Sequence, residues 1–368
     1  MINDCIRIGI REKSTSMKSL SSKAYRQLSQ YDVAVCYRLT AISRAAGILK
    51  NYRRSLRKNS QTRVPQAKRL SLVDCYGFRI KGKRLRLTLR AHQHAYIELN
   101  AYTLKALGDN FLRSVTLTSE SLSVTYSRDV EELRPKGLMG IDSNLDNVTT
   151  ASSDGEVQRF DLSGTTRIKE AYKEVKSHLR RNDVRIKRTV FRKYGSLQRN
   201  RIWWILNNVS ASVVKQAKVK ELGIVMEEIT GIRRLYRKGN GQGRLFRSRL
   251  NSWSYHELQR EIEYKARWEG IPVVYVTAWG TSAKCSTCGS KTFPNEDRTL
   301  SCSKCKTTVD RDVNAARNIL AKGALRFGAD GFAGEAVKGN ETRTPIPGVD
   351  AGQLTTEARM WAEESAEP

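Results

Sequence analysis

Hydrophobic positions repeat with two periods along this chain, and the switches between them divide it into blocks. Over residues 17–57, Leu28, Tyr31, Val35, Ile42, Ala45, Leu49 and Tyr52 recur at spacings of three, four or seven. That spacing predicts a helix with one core-facing stripe, interrupted by Arg38. A basic segment with a proline, NYRRSLRKNSQTRVPQAKR, follows. From 71 to about 130 the period falls to two. In KRLRLTLR, Leu85, Leu87 and Leu89 point one way, and Arg84, Arg86, Thr88 and Arg90 point the other. This is a half-buried strand with a cationic outer face. YIELN and SVTLTSESLSVTYS continue the pattern, so a small β-barrel or sheet is expected.

A new unit begins at RPKGLMGIDSNLDNVTTASSDGEVQRF, where turn residues at Ser143–Asn144 and Asp154–Gly155 separate three short strands. Residues 165–220 read as helical, with one stripe at Ile168, Tyr172, Val175 and Leu179 and another at Ile202, Ile205, Leu206, Val209 and Val213. LGIVMEEI is a buried strand, GNGQG a flexible loop, and IPVVYVTA a second buried strand. Between the last two, Ser254 and Glu257 have capping-box spacing in a helix that runs to about Trp268. A cysteine-rich insert and a helix from about 311 follow. After 329 the chain turns acidic and poor in large apolar residues, which predicts a disordered tail.

Charge changes this picture. The 368 residues carry 66 Lys and Arg against 37 Asp and Glu, a net +29. A surplus of that size favours a polyanionic partner. No apolar run approaches the roughly 18 residues of a membrane span, and MINDCIRIGIREKSTS lacks the apolar core of a signal peptide.

Four of the seven cysteines, Cys285, Cys288, Cys302 and Cys305, form CxxC-x13-CxxC. Two residues between thiols let one turn present both sulfurs to one ion, and two such turns complete a tetrahedron suited to Zn²⁺. Four thiolates leave no position for water, so this zinc is structural. Gly289 follows the first pair, where a ribbon turn needs a positive φ. Cys5, Cys36 and Cys75 have no paired spacing and read as small buried residues.

Three acids stand at the ends of elements: Asp142 closes GLMGID, Glu227 closes LGIVME, and Asp312 lies in DRD at the last helix. Brought together, they would raise one another's pKa values, a repulsion that divalent cations relieve. Oxygen donors select Mg²⁺ or Mn²⁺, and two such ions can drive phosphodiester hydrolysis. Acids of this kind in a basic chain point to a metal-dependent nuclease. Periodicity leaves Glu228 open beside Glu227, and Asp310 beside Asp312. Asp146 reads as a turn residue.

GID after a basic stretch, VMEEITGIR, YKARWEGIPVVYV, TSAKCSTCG and CSKCKTTVDRDVNAARNI together resemble the TnpB family over residues 137–322, and more loosely over AAGILKNYRR and the β-rich segment. These are transposon-encoded RNA-guided DNA endonucleases related to compact type V CRISPR effectors. The resemblance implies an α+β multidomain chain. Its N-terminal β-barrel begins with strand at 1–16, is interrupted by a helical recognition block at 17–68, and resumes at 69–134. An RNase H-like (RuvC) nuclease domain with a helical insertion spans 135–280, with a zinc-ribbon insert at 281–308 and a last helix at 309–328, before the disordered acidic tail at 329–368.

Carried over, the catalytic triad that holds two Mg²⁺ or Mn²⁺ ions is Asp142, Glu227 and Asp312, the last in D-x-N-A-A with Asn314, Ala315 and Ala316. Cys285, Cys288, Cys302 and Cys305 hold one structural Zn²⁺. The implied partners are a guide RNA and double-stranded target DNA, in a prokaryotic cytosol or nucleoid, with no membrane. Candidate nucleic-acid contacts are Arg53, Arg54, Arg84, Arg86 and Arg90, with Arg233, Arg234 and Arg237 beside the GNGQG loop as a lid or strand guide. Hydrolysis would leave a 5′-phosphate and a 3′-hydroxyl. Two departures stand out: Asn144 replaces the glycine of GIDxG, and Glu227–Glu228–Ile229 replaces Glu-Asp-Leu. The rival functions are a silent RNA-guided DNA-binding repressor, an unguided zinc-ribbon transposition accessory protein and a junction resolvase.

Overall fold

A computed structural model describes residues 1–68, 71–179, 183–231, 243–328, 354–356 and 360–361. The chain forms two compact units, Met1–Asp129 with Pro345–Pro368, and Val130–Thr344.

The first unit opens with helices α1 (Ile2–Arg11), α2 (Met17–Ala24) and α3 (Val35–Lys58). The start of the chain is therefore helix, not the strand expected for 1–16. IRIGI alternates like a strand, but the buried residues are Cys5, Ile6, Ile8 and Gly9, a helical grouping. Nor do residues 17–57 form one helix. Ser16 caps α2 through Ser19 N–H, and a short 3₁₀ turn at Gln27–Gln30 breaks the run before α3. Leu28, Ile42, Ala45 and Leu49 still meet in one core with Ile6, Leu20 and Ala24, whereas Val35 is exposed. A Cβ on Gly9 would lie 2.2 Å from the Leu49 side chain, so glycine sets the closeness of α1 to α3.

Strands β1 (Ser71–Asp74), β2 (Phe78–Lys81), β3 (Arg84–Arg90) and β4 (Gln93–Glu98) precede helix α4 (Ala101–Leu107), and β5 (Phe111–Thr118) and β6 (Leu122–Ser127) follow. The period-two reading of β3 holds, with Leu85 and Leu87 fully buried. Among the described residues the strands form two antiparallel sheets, β1-β5-β6 and β2-β3-β4, rather than one closed ladder. Helix α4, unanticipated in the alternating stretch, is capped by Asn100, whose Oδ1 accepts from Thr103 N–H. Short strands at Leu354–Thr356 and Met360–Trp361 pair with β6 and β4, within the stretch expected to be a disordered tail.

The second unit is built on a five-stranded sheet. Strands β7 (Gly137–Ser143), β8 (Asn147–Ser152) and β9 (Val157–Asp161) pair antiparallel, and β10 (Leu222–Glu228) and β11 (Val273–Thr277) pair parallel to β7, in the order β11-β10-β7-β8-β9. The expected 165–220 helix is α5 (Ser163–Ser177) and α6 (Phe191–Val219), separate helices. After β10 come α7 (Arg244–Ser252) and α8 (Tyr255–Trp268). Met139, Ile141, Ile224 and Met226 on one sheet face pack with Ile202, Leu206, Val213, Leu258 and Ile262. Each such buried side chain contributes about 1.5–3 kcal/mol. Ser254 caps α8 only by position. Its hydroxyl accepts from Lys169 Nζ at 2.7 Å, so the capping box does not form.

The opposite face carries α9 (Arg311–Gly328), against Leu138, Val225 and Val276. Two glycines set this seat. A Cβ on Gly140 of β7 would meet Ala316 O at 2.3 Å and Leu320 N at 2.6 Å, and one on Gly323 of α9 would meet the Val225 side chain at 2.3 Å. The cysteine-rich insert between β11 and α9 forms a small antiparallel sheet of β12 (Thr292–Pro294), β13 (Thr299–Cys302) and β14 (Thr308–Asp310).

Candidate active site

The pleat aims the acids. Leu138 and Gly140 share the α9-facing side of β7 with Asp142, and Gly223 and Val225 share the same side of β10 with Glu227. Met226 stands opposite Ile141 in parallel register, so Glu227 and Asp142 are the next neighbours, about 5 Å apart at the backbone. Asp312 lies one helical turn before Ala316, the residue seated on Gly140.

Side-chain amides join these carboxylates. Asn144 Nδ2 donates to Asp142 Oδ2 at 2.7 Å, and Asn147 Nδ2 donates to Asp312 Oδ2 at 3.3 Å, with Asn144 and Asn147 themselves 3.5 Å apart. Asn144 therefore serves through its side chain; its backbone is not left-handed. Trp253 Nε1 donates to Asn144 O and Gln259 Nε2 to Glu227 O, fixing the two strand ends.

Asp142 is buried, and that burial raises its pKa to about 7, with Glu227 and Asp312 adding repulsion and the Asn144 amide opposing them. Burial raises Glu227 as well, offset by the Thr281 hydroxyl and the Lys322 charge. Asp312 is buried beside cations: Arg298 Nη2 lies 3.0 and 3.2 Å from its oxygens and Arg159 Nη2 at 3.7 Å. Arg298 adopts φ +64, a left-handed geometry unfavourable by roughly 1–2 kcal/mol for a side-chain-bearing residue. The strain sits where the side chain reaches the site.

Geometry also separates the ambiguous neighbours. Glu228 is exposed while Glu227 is half-buried. Asp310 is the N-cap of α9: its Oδ1 accepts from Asp312 N–H at 2.9 Å and Val313 N–H at 3.0 Å. Burial alone would raise Asp310, yet those amides and Arg159 hold it below its ordinary value. Asp146 accepts from Thr166 Oγ1 and Arg249, tying down the turn after β7.

The four cysteines lie a short way along the chain. Cys285 and Cys305 Sγ are 3.6 Å apart, Cys288 and Cys302 Sγ 3.4 Å apart, and all four lie within 4.8 Å of one another. A tetrahedral ZnS₄ centre has sulfurs about 3.8 Å apart, so the donor set fits one such ion. The Cys288 amide leads the contacts that lower Cys285 to about 6, whereas Cys302, despite the Cys305 amide, is raised to about 11 by burial and by the Cys288 and Cys305 thiols. Gly289 has the expected positive φ, +73. Among the described residues this is the only group of three or more metal-type donors gathered closely enough to hold an ion as it stands; Asp142, Glu227 and Asp312 are not so grouped.

Helix α9 links the two clusters. Asn314 Nδ2 donates to Lys284 O and its Oδ1 accepts from Ser286 N–H, clamping the turn that carries Cys285; Asn318 Nδ2 donates to Lys284 O and Thr281 O.

The predicted cationic contacts divide. Arg53, Arg54 and Arg84 are exposed, Arg86 is half-buried, and Arg90 is paired with Asp32 at 2.6 Å. Arg84 stands opposite Lys81 and Arg86 opposite Arg79, like-charge pairs that destabilise a bare sheet. Arg233, Arg234, Arg237 and the GNGQG loop up to Gln242 lie outside the described residues. The sequence reading missed a cleft of about 1350 Å³ between α5, α6 and α7, lined by Lys169, Lys173, Lys176, Arg244 and Arg249. Its lysines bond mainly to neutral oxygens of Ser248, Ser252, Ser254 and Gln198, and burial lowers Lys169 to about 8. Among the described residues no helix is long and apolar enough to cross a membrane.

Comparison with known proteins adds four findings. The family described as Cas12f1-like, TNB domain, matches residues 255–319. TnpB-like protein MJ0751 of Methanocaldococcus jannaschii is 30% identical over 261 residues, covering 67% of this chain and 92% of that protein. CRISPR-associated endodeoxyribonuclease Cas12f1 of Sulfoacidibacillus thermotolerans is 37% identical over 98 residues, 26% of this chain and 21% of the relative. Among solved structures, the fold resembles that in a Cas12f1–sgRNA–target DNA complex, with a TM-score of 0.60 and 14% identity over 86% of this chain and 79% of that one.

Proposed function

The chain belongs to the TnpB-like proteins, and from that premise we propose that it is an RNA-guided DNA endonuclease of a mobile element. Phosphodiester hydrolysis takes place at one carboxylate centre, formed by Asp142, Glu227 and Asp312. The observation that carries this reading is the convergence of a β7 acid, a β10 acid and an α9 acid at one end of a mixed sheet.

The acids fit Mg²⁺ or Mn²⁺: they are oxygen donors, Asp142 and Asp312 buried and Glu227 half-buried, whose mutual repulsion favours a cation between them. Two such ions, when bound, lower the pKa of the attacking water and stabilise the leaving oxygen, giving a 5′-phosphate and a 3′-hydroxyl. The chain supplies the rest. Asn144 orients the Asp142 carboxylate, and Asn147 does the same for Asp312. Arg298, itself largely exposed, is free to exchange Asp312 for a phosphate oxygen at the edge of the site.

The Val130–Thr344 unit is then a RuvC-like nuclease, with residues 281–308 as a ribbon around one structural Zn²⁺. The guide RNA and target DNA supply the phosphates that would balance the cations of β2–β3 and of the α5–α7 cleft. Sequence is read by base pairing, while the protein contacts backbones. The silent-repressor alternative is disfavoured because all three acids are present and converge.

The test is to purify the protein with its bound nucleic acid. One discrete RNA should copurify, and with Mg²⁺ the complex should cut DNA matching that RNA. Random fragments or no RNA would favour the unguided accessory protein. Mg²⁺-dependent cutting retained by Asp142→Ala or Asp312→Ala would remove the triad assignment.

A further inference from the structure

Trp279 lies in the turn that leaves β11, and its side chain is 79% exposed, more than Trp203 or Trp204 on α6. Its backbone, in contrast, is firmly held. Lys322 Nζ on α9 donates to Trp279 O at 2.6 Å and to Thr277 O at 2.9 Å. Gly280 takes φ +78 to close the turn. Thr281 is buried, donates to Ala278 O at 2.8 Å, and its hydroxyl lies close enough to Glu227 to oppose the rise of its pKa. The segment that displays the indole therefore also supports one acid of the carboxylate centre, two residues later.

Exposing an indole forgoes the favourable burial of a large apolar surface, and a ligand that covers it recovers that term. The surroundings indicate the kind of ligand. Lys284 Nζ lies 5.2 Å from the ring centroid, and Lys322 reaches the same turn, donating to the backbone carbonyls of Thr277 and Trp279. An exposed aromatic ring with one cation at it and a second on the same turn, close in sequence to the proposed carboxylate centre, has the make-up of a single-strand platform: the ring takes a base and the cations take the phosphates.

We propose that Trp279 is a stacking residue for one base of the DNA strand entering the carboxylate centre, with Lys284 and Lys322 drawing the flanking phosphates. This rests on the nuclease reading above. Trp279 is a positioning residue: it holds the strand so that the scissile phosphate reaches Asp142, Glu227 and Asp312, and it takes no part in proton transfer.

The experiment uses the full chain with its copurified RNA and a single-stranded oligodeoxynucleotide. Trp279→Ala is expected to raise KM for cleavage roughly tenfold with kcat little changed. Trp279→Phe should stay close to wild type, and one abasic position in the oligonucleotide should reproduce the Trp279→Ala defect without adding to it. A second readout needs no cleavage. In the Asp142→Ala background the oligonucleotide should quench indole emission, and most of that quenching should vanish with Trp279→Ala. Unchanged zinc content and RNA loading would show that the variants are folded. A wild-type protein that cuts while Trp279→Ala keeps its KM and its quenching overturns the stacking role. A wild-type protein that cuts nothing overturns the nuclease reading instead, and the quenching still decides whether Trp279 meets a base.

Discussion

The nuclease unit contains two clusters of metal-type side chains, both tied to α9 and built on opposite rules. The cysteines are close in sequence and in space, with every sulfur within 4.8 Å of the others. They offer four sulfur donors to one soft ion, and the ribbon strands and the Asn314 clamp hold them together. The acids come from distant strands and a helix, and burial, with repulsion from Glu227 and Asp312 added, raises Asp142 to about 7. Amides and arginines offset that repulsion only in part. A donor set that leaves no place for water suits structure; one of repelling carboxylates suits chemistry, on the reading proposed above.

The largest test of this contrast removes an acid. Asp142→Ala or Glu227→Gln should reduce Mg²⁺-dependent cleavage to background in a gel assay while RNA binding and thermal stability persist. If RNA binding fails too, the acids are structural and the contrast collapses. Cys302→Ser should act the other way round. It should release one zinc per chain, measured by metal analysis, and lower the melting temperature, because structural zinc contributes about 10–16 kcal/mol in small zinc modules. Cleavage would fall as a consequence, since β13 and the turn before it carry Arg298 to Asp312.

The pH dependence sharpens the difference further. Below about pH 4 the Asp142 carboxyl is protonated in both folded and unfolded chains. Between pH 4 and 7 only the folded chain keeps that proton, so stability falls as pH rises and levels off above 7. The shift from 3.8 to about 7 corresponds to a loss of about 4 kcal/mol in metal-free protein. Asp142→Asn should abolish this part of the slope in denaturant titrations at pH 5 and pH 8. Added Mg²⁺ should restore stability at pH 8 more than at pH 5.

Gly140→Ala tests the seat of α9. Its Cβ would overlap Ala316 O, so a cost of about 1–3 kcal/mol is expected, with a slower cut because Asp312 moves with the helix. The smallest effect belongs to Glu228→Gln, which should leave cleavage near wild type. A loss as large as that of Glu227→Gln would reverse the choice between the two.

Much of this site was legible because it follows local pattern. CxxC spacing needs only a turn, and Asp142 and Glu227 close short apolar runs whose period-two pleat is written in the residues. The neighbour choices were not legible, since they turn on burial. Asp310 is spent on capping α9, and Glu228 projects to solvent. Arg298 was invisible because only the pairing of β13 with β14 brings a ribbon turn back to the start of α9. The N-terminal helix was missed because the strand at 1–16 was expected from the family resemblance alone; five residues of IRIGI suit either period, and tertiary packing chose the helical one. The α5–α7 lysines form a cleft only after distant helices pack.

The position of α9 at the end of the nuclease unit has a consequence for how the enzyme is made. Asp142 and Glu227 emerge from the ribosome long before Asp312, and the glycine-lined seat on β7 stays empty until the ribbon and then α9 have been synthesised. A growing or prematurely terminated chain thus carries two acids and no third, and on the reading proposed above it gains the means to cut only once α9 has been made.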